Sequence, residues 1–148
     1  MTEGYSTSAN VSDFPGECFF TDTYEQARGQ FLHFAGLVGA ELYTLPVAER
    51  VSDGVSGGED TSGLSTDVAV VRRSMERVVV HVSGTHGVEG YAGSAVQAAA
   101  LHQLSLQANE VLTDASLPTL VFVHVLNPYG MKNNRRVNEV SAVAKDLL

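Results

Sequence analysis

Apolar positions recur along the chain in patterns that assign its elements one after another. Residues 1–18 are rich in Ser, Thr, Asn, Asp and Gly and read as a flexible tail. Asp22 and Glu25 then fit a capping box, an acceptor at the N-cap with a glutamate three residues on. Ala27, Phe31, Phe34, Ala35, Val38 and Leu42 follow at helical spacing and predict an amphipathic helix with those side chains in the core. His33 falls off that stripe and reads as exposed, and Arg28 reads as a surface charge. Residues 42–47 suggest a short strand ended by Pro46. Residues 48–65 are rich in Gly, Ser and Asp, a composition that cannot bury enough to order itself, and read as a flexible surface loop.

The pattern then changes period. Residues 67–71 and 78–82 are valine-rich strands separated by a polar turn around residues 73–76. The second is nearly continuous in valine, which predicts a strand covered on both faces. Residues 92–106 are apolar on most of a helical surface, so this helix is expected between layers. Residues 119–126 form another strand of buried type. Strand, helix, strand predicts a right-handed parallel crossover, with the carboxyl ends of both strands at one edge. The expected fold class is α/β, a mostly parallel sheet with helices packed on it. His81 and His124, inside strands, read as structural, and His102 as solvent-exposed.

Length and charge narrow the function classes. A chain of 148 residues makes one domain, and its net charge of -8 with pI near 4.9 excludes the basic footprint of a nucleic-acid binder. The same charge argues against anionic membranes, and no apolar run approaches the ~20 residues of a spanning helix. Cys18 is the sole cysteine, so neither an intrachain disulfide nor a cysteine zinc site is expected. The N-terminal residues lack the apolar core of a signal peptide, and a cytoplasmic location is the expectation.

The candidate chemistry lies between the second strand and the second helix, in Ser83-Gly84-Thr85-His86-Gly87-Val88-Glu89-Gly90. Open α/β sheets place their sites outside the carboxyl ends of strands. Imidazole and carboxylate both suit zinc, which in catalytic sites takes three protein ligands and a water. His86 and Glu89 alone make half of such a site. A bare His-x-x-Glu is more often a turn histidine followed by a helix-start glutamate. The loop could also cradle an anion at the helix N-terminus, although Glu89 sets a negative charge there. Gly54-Val55-Ser56-Gly57-Gly58 formally matches the Gly-x-Ser-x-Gly elbow, but the strand and helix that motif needs are not predicted around it.

The flanking residues add a resemblance. Residues 83–94, SGTHGVEGYAGS, resemble the first metal segment of the zinc carboxypeptidase superfamily, closest to an uncharacterised bacterial-type branch. Leu126-Asn127-Pro128-Tyr129-Gly130 is similar to the superfamily's Asn-Pro-x-Gly turn, and Arg135-Arg136-Val137-Asn138-Glu139 to that branch's continuation. Tyr24-Glu25-Gln26-Ala27-Arg28 and Asp67-Val68-Ala69 fit it upstream. The likeness covers about residues 19–139, and residues 140–148 form a divergent tail.

The resemblance implies zinc held by His86 and Glu89 and an arginine that polarises the scissile carbonyl, Arg136 by its spacing to Asn138-Glu139, or else Arg135. It implies hydrolysis of a peptide or acyl-amide substrate by metal-activated water. It also implies an Asp-x-Asn-Arg element, a third zinc ligand and a general-base glutamate, none of which follows Glu139 here. The expectation is therefore the N-terminal portion of a zinc-dependent carboxypeptidase or amide hydrolase, inactive or weakly active as this short chain. A non-catalytic protein that self-associates through open sheet edges is the other expectation.

Overall fold

The computed structural model describes residues 19–47, 60–107 and 109–138. The tail at 1–18, most of the 48–65 loop including Gly54 to Gly58, and the tail at 140–148 lie outside the described residues.

Helix α1 (Tyr24–Leu37) starts one residue later than the capping box suggests. Thr23 is the N-cap, its hydroxyl accepting from the Gln26 backbone N–H, while Gln26 Oε1 accepts from the Asp22 N–H at 3.1 Å. Gly39, at φ +66°, turns the chain out of the helix. Strand β1 (Glu41–Pro46) follows, so Leu42 belongs to a strand and is exposed, not part of the helical stripe. Strands β2 (Ser65–Val71) and β3 (Val78–Val82), helix α2 (Gly90–Ser105), the short helix α3 (Asn109–Leu112), strand β4 (Thr119–His124) and the short helix α4 (Pro128–Lys132) complete the order.

The sheet runs β1-β2-β4-β3. The β3-α2-β4 crossover pairs β3 with β4 in parallel, as the strand-helix-strand order requires. The other two pairs are antiparallel, so the described sheet is mixed and not mostly parallel. The reason is that β2 runs opposite to both of its neighbours, β1 and β4.

Register fixes which side chains share a face. One row across the sheet is Ala69 and Phe122, another is Asp67 and His124. These buried positions meet α1 and α2 through Phe31, Ala35, Val38 and Leu101. The opposite face carries Tyr43, Val68, Val123 and Val82 in one row and Val70, Val121 and Val80 in the next. No helix among the described residues covers it. Among the described strands β3 lies at the sheet edge and Val80 is 57% exposed, which corrects the expectation of a strand covered on both faces. α2 likewise buries one side only, through Ser94, Ala95, Gln97, Ala98 and Leu101, while Val96 is exposed. His102, expected in solvent, is buried against the Phe19 and Phe34 rings, with centroids 5.6 and 5.0 Å away. His33 is exposed, as its place off the stripe predicts. No described helix is long and apolar enough to cross a membrane.

Polar groups tie α1 to the sheet. The Asp67 carboxylate is fully buried and accepts from Arg28 Nε at 2.6 Å and Nη2 at 3.1 Å, from Thr44 Oγ1 at 2.6 Å and from Ser65 Oγ at 3.1 Å. Arg28 is thus a buried-pair partner and not a free surface charge. Burial alone pushes the Asp67 carboxyl upward, but the Arg28, Thr44 and Ser65 hydrogen bonds outweigh it and hold it below the usual range. Removing Arg28 leaves a buried carboxylate uncompensated, so Arg28→Ala is expected to lower stability by about 3 kcal/mol in urea unfolding.

His124 is the row partner of Asp67, stacked on Phe31 with centroids 4.6 Å apart. Burial pushes it down from 6.5 to about 4, with Asp67 opposing that shift and Arg28 adding to it. The unfolded chain takes up a proton at His124 that the native protein refuses. Stability is therefore lost as pH falls from about 6.5 to about 4, after which this group contributes no further slope. In His124→Asn that segment of the pH-stability curve, read from urea midpoints, should flatten.

Candidate functional site

The β3–β4 ladder continues past the strand ends. The Ser83 N–H donates to the Val123 carbonyl at 3.1 Å, the Leu126 N–H to the Ser83 carbonyl at 2.9 Å, and the Asn127 N–H to the Gly84 carbonyl at 2.8 Å. The loop 83–90 and the loop 125–136 therefore leave the sheet side by side. Gly84 has φ +63°, and a Cβ there would lie 2.6 Å from Val125 Cβ, so both conformation and space require glycine. A Cβ on Gly87 would lie 1.9 Å from the Gly130 carbonyl carbon and 2.3 Å from the Arg135 oxygen. The two loops touch backbone to backbone.

The second loop is organised by Asn127. Its side chain caps α4 by accepting from the Gly130 N–H at 2.8 Å and donates to the Arg136 carbonyl at 3.3 Å. The Arg135 N–H donates to the Gly130 carbonyl at 2.8 Å, and Asn134 takes the left-handed φ of 51° that asparagine tolerates. One asparagine thus sets both ends of the segment that carries the arginines.

His86 and Glu89 are exposed in the intervening turn. Glu89 is the N-cap residue of α2, yet its carboxylate makes no cap hydrogen bond. Neither side chain has a hydrogen-bond partner among the described residues. Arg135 donates to the Tyr129 hydroxyl at 3.1 Å, with its Cζ 5.9 Å from that ring. The Arg136 guanidinium has no hydrogen bond or ion pair among the described residues, although its backbone is anchored. The structure thus brings the loop of His86 and Glu89 against the Gly130–Arg136 segment and separates the two arginines by what they do.

The donor set stops at two. All five histidines of the chain are described, and His33, His81, His102 and His124 lie on other elements. Among the described residues no group of three or more His, Cys, Asp or Glu could hold a metal. Imidazole and carboxylate fit zinc in kind, but a catalytic site needs one more protein donor. Gln97, buried and hydrogen-bonded beneath the loop, was not anticipated. Its signal was a lone amide within the apolar run Ala95-Val96-Gln97-Ala98-Ala99.

Gly87→Ala is expected to force the loops apart and lower stability by about 3 kcal/mol or more. Gly29→Ala, in α1 with nothing within 4 Å of the new methyl, should instead raise stability by about 0.5–1 kcal/mol. Paired thermal melts of the two variants check the contrast.

Residues 20–142 match a family model described as a protein of unknown function, DUF2817. No curated protein and no solved structure matches the chain. The matched span takes in every described element and both loops of the candidate site, and the chain belongs to the DUF2817 family.

Proposed function

We propose that this chain carries the first two ligands of a zinc-dependent amide hydrolase of carboxypeptidase-like type, inactive or weakly active on its own. The observation that supports this reading is the exposure of unpartnered His86 and Glu89 on a glycine-clamped loop beside the Arg136 segment. His86 Nδ1 or Nε2 and the Glu89 carboxylate are the donors. Zinc held there would act as a Lewis acid and lower the pKa of its water. Arg136, anchored by its carbonyl, offers donors to the oxyanion of a peptide or acyl-amide carbonyl. Arg135, engaged with Tyr129, holds the segment in shape. A third donor and a base to take a proton from water are missing from the described residues, which is why little turnover is expected. The sole cysteine suits a reducing cytoplasm.

Isothermal titration with zinc tests the ligands. Binding to the wild type that disappears in both His86→Ala and Glu89→Ala is the expected outcome. No binding, or binding indifferent to both substitutions, ends the zinc reading.

A second reading has its own support. Among the described strands β3 lies at an edge, and its Val78, Val79, Val80 and Val82 are exposed, with no charge or proline within the strand to protect that edge. A second copy could pair there antiparallel and extend the sheet. Sedimentation should then show a dimer that Val80→Lys converts to monomer; a wild-type monomer across the concentration range removes this reading.

A further inference from the structure

Gln97 projects from α2, the helix that follows the His86 and Glu89 loop, and is fully buried. Its side-chain amide N–H groups donate to the Val123 carbonyl at 3.0 Å and the His81 carbonyl at 3.2 Å, and the same nitrogen lies 3.1 Å from His81 Nδ1. Its side-chain carbonyl accepts from Ser83 Oγ at 2.9 Å. One amide therefore joins the last turns of β3 and β4 to the first residue of the loop. An amide with a donor end and an acceptor end suits this place, because the strand ends offer carbonyls and the loop offers a hydroxyl. Without Gln97 the buried hydroxyl keeps only the longer contact to the Val123 carbonyl, at 3.4 Å, and is under-satisfied.

The connection leads to the ligands. Ser83 is three residues before His86, and Gly84 between them is pinned against Val125. A Cβ on Gly93 would lie 2.7 Å from Ser83 Cβ, so α2 packs directly on the serine that Gln97 holds. The glycine contacts restrict where the loop can go, and the hydrogen bond restricts where it begins.

We propose that Gln97, acting through the Ser83 hydroxyl, is a positioning residue that sets the His86 and Glu89 loop. Its meaning for metal binding rests on the zinc reading above; its action on the loop does not. The backbone bonds of Ser83 and Gly84 to the β4 end remain when the Ser83 hydroxyl is freed, but the loop that starts there gains freedom, and the two ligands beyond it sample geometries that cannot bind one ion together. Support of this kind around metal ligands is commonly worth about 10- to 100-fold in affinity.

The test is amide hydrogen exchange on the metal-free chain, wild type beside Gln97→Leu and Ser83→Ala. The proposal expects both variants to speed exchange in residues 84–90 and 126–130 while amides of α1 and β2 keep their wild-type rates. Adding Ser83→Ala to Gln97→Leu should change loop exchange little further, since Gln97→Leu already breaks the bond that Ser83→Ala removes. Unchanged exchange in residues 84–90, or a uniform rise over every element, overturns it as no more than core stability. Should Gln97→Leu not fold, Ser83→Ala alone carries the same decision. Zinc titration of the variants then separates the two readings. Weaker binding by about tenfold upholds both. A wild type that binds no zinc, with loop exchange still responding, removes the zinc reading and keeps the positioning role.

Discussion

The approach of Gly87 to Gly130 is the constraint on which the candidate site depends. Any side chain at Gly87 would collide with the backbone of the neighbouring loop. Because both positions are glycine, two loops that leave adjacent parallel strands close on one another. His86 and Glu89 follow one strand, and Arg135 and Arg136 follow the other. The proximity of the two loops is a property of backbone contact. Asn127 adds direction by capping α4 and holding the Arg136 carbonyl, so the arginines lie on a short, tied segment.

Beneath that edge the covered face of the sheet includes buried polar groups. Asp67 with Arg28, His124 with Ser94 at 2.9 Å, and Gln97 with Ser83 each link a helix to a strand or a loop. Each of these groups is buried at least on one side and carries directional bonds, so each specifies one packing where methyl groups would accept several. The opposite face is the reverse. Val68, Val70, Val80, Val82, Val121 and Val123 form an apolar wall that no described helix covers, and its composition is that of a surface made to be packed.

Much of this was legible in the sequence, and the failures have physical reasons. Period and length located a strand at 78–82, a second at 119–126 that in the structure ends at His124, and the long helix between them, and topology then required their parallel pairing. The glycine spacing around His86 marked the turn. Burial was harder to foresee. A run of valines signals a strand suited to burial on both faces, but β3 stands at an edge among the described elements, which composition cannot encode. His102 looked like a polar interruption of α2 because its partners, Phe19 and Phe34, are far away in sequence. Arg28 and Asp67 are separated by 39 positions, so no local pattern links them. Antiparallel pairing of β1 with β2 was hidden by the sequence distance between Pro46 and Ser65. Function is less legible than fold: a histidine and a glutamate three residues apart set only an expectation of metal binding, and the family the chain belongs to is described as one of unknown function.

The most direct measurement is the nitrogen-15 NMR spectrum of the histidine rings during zinc addition, with backbone amides followed in the same samples. Five ring systems are present, so a specific ligand stands out against four internal controls. The expected result is that His86 alone shifts, accompanied by the amides of Glu89 and, across the glycine contact, of Gly130. Shifts at His33, the other exposed histidine, equal to those at His86, or an unmoved His86 ring, would contradict a site built on this loop.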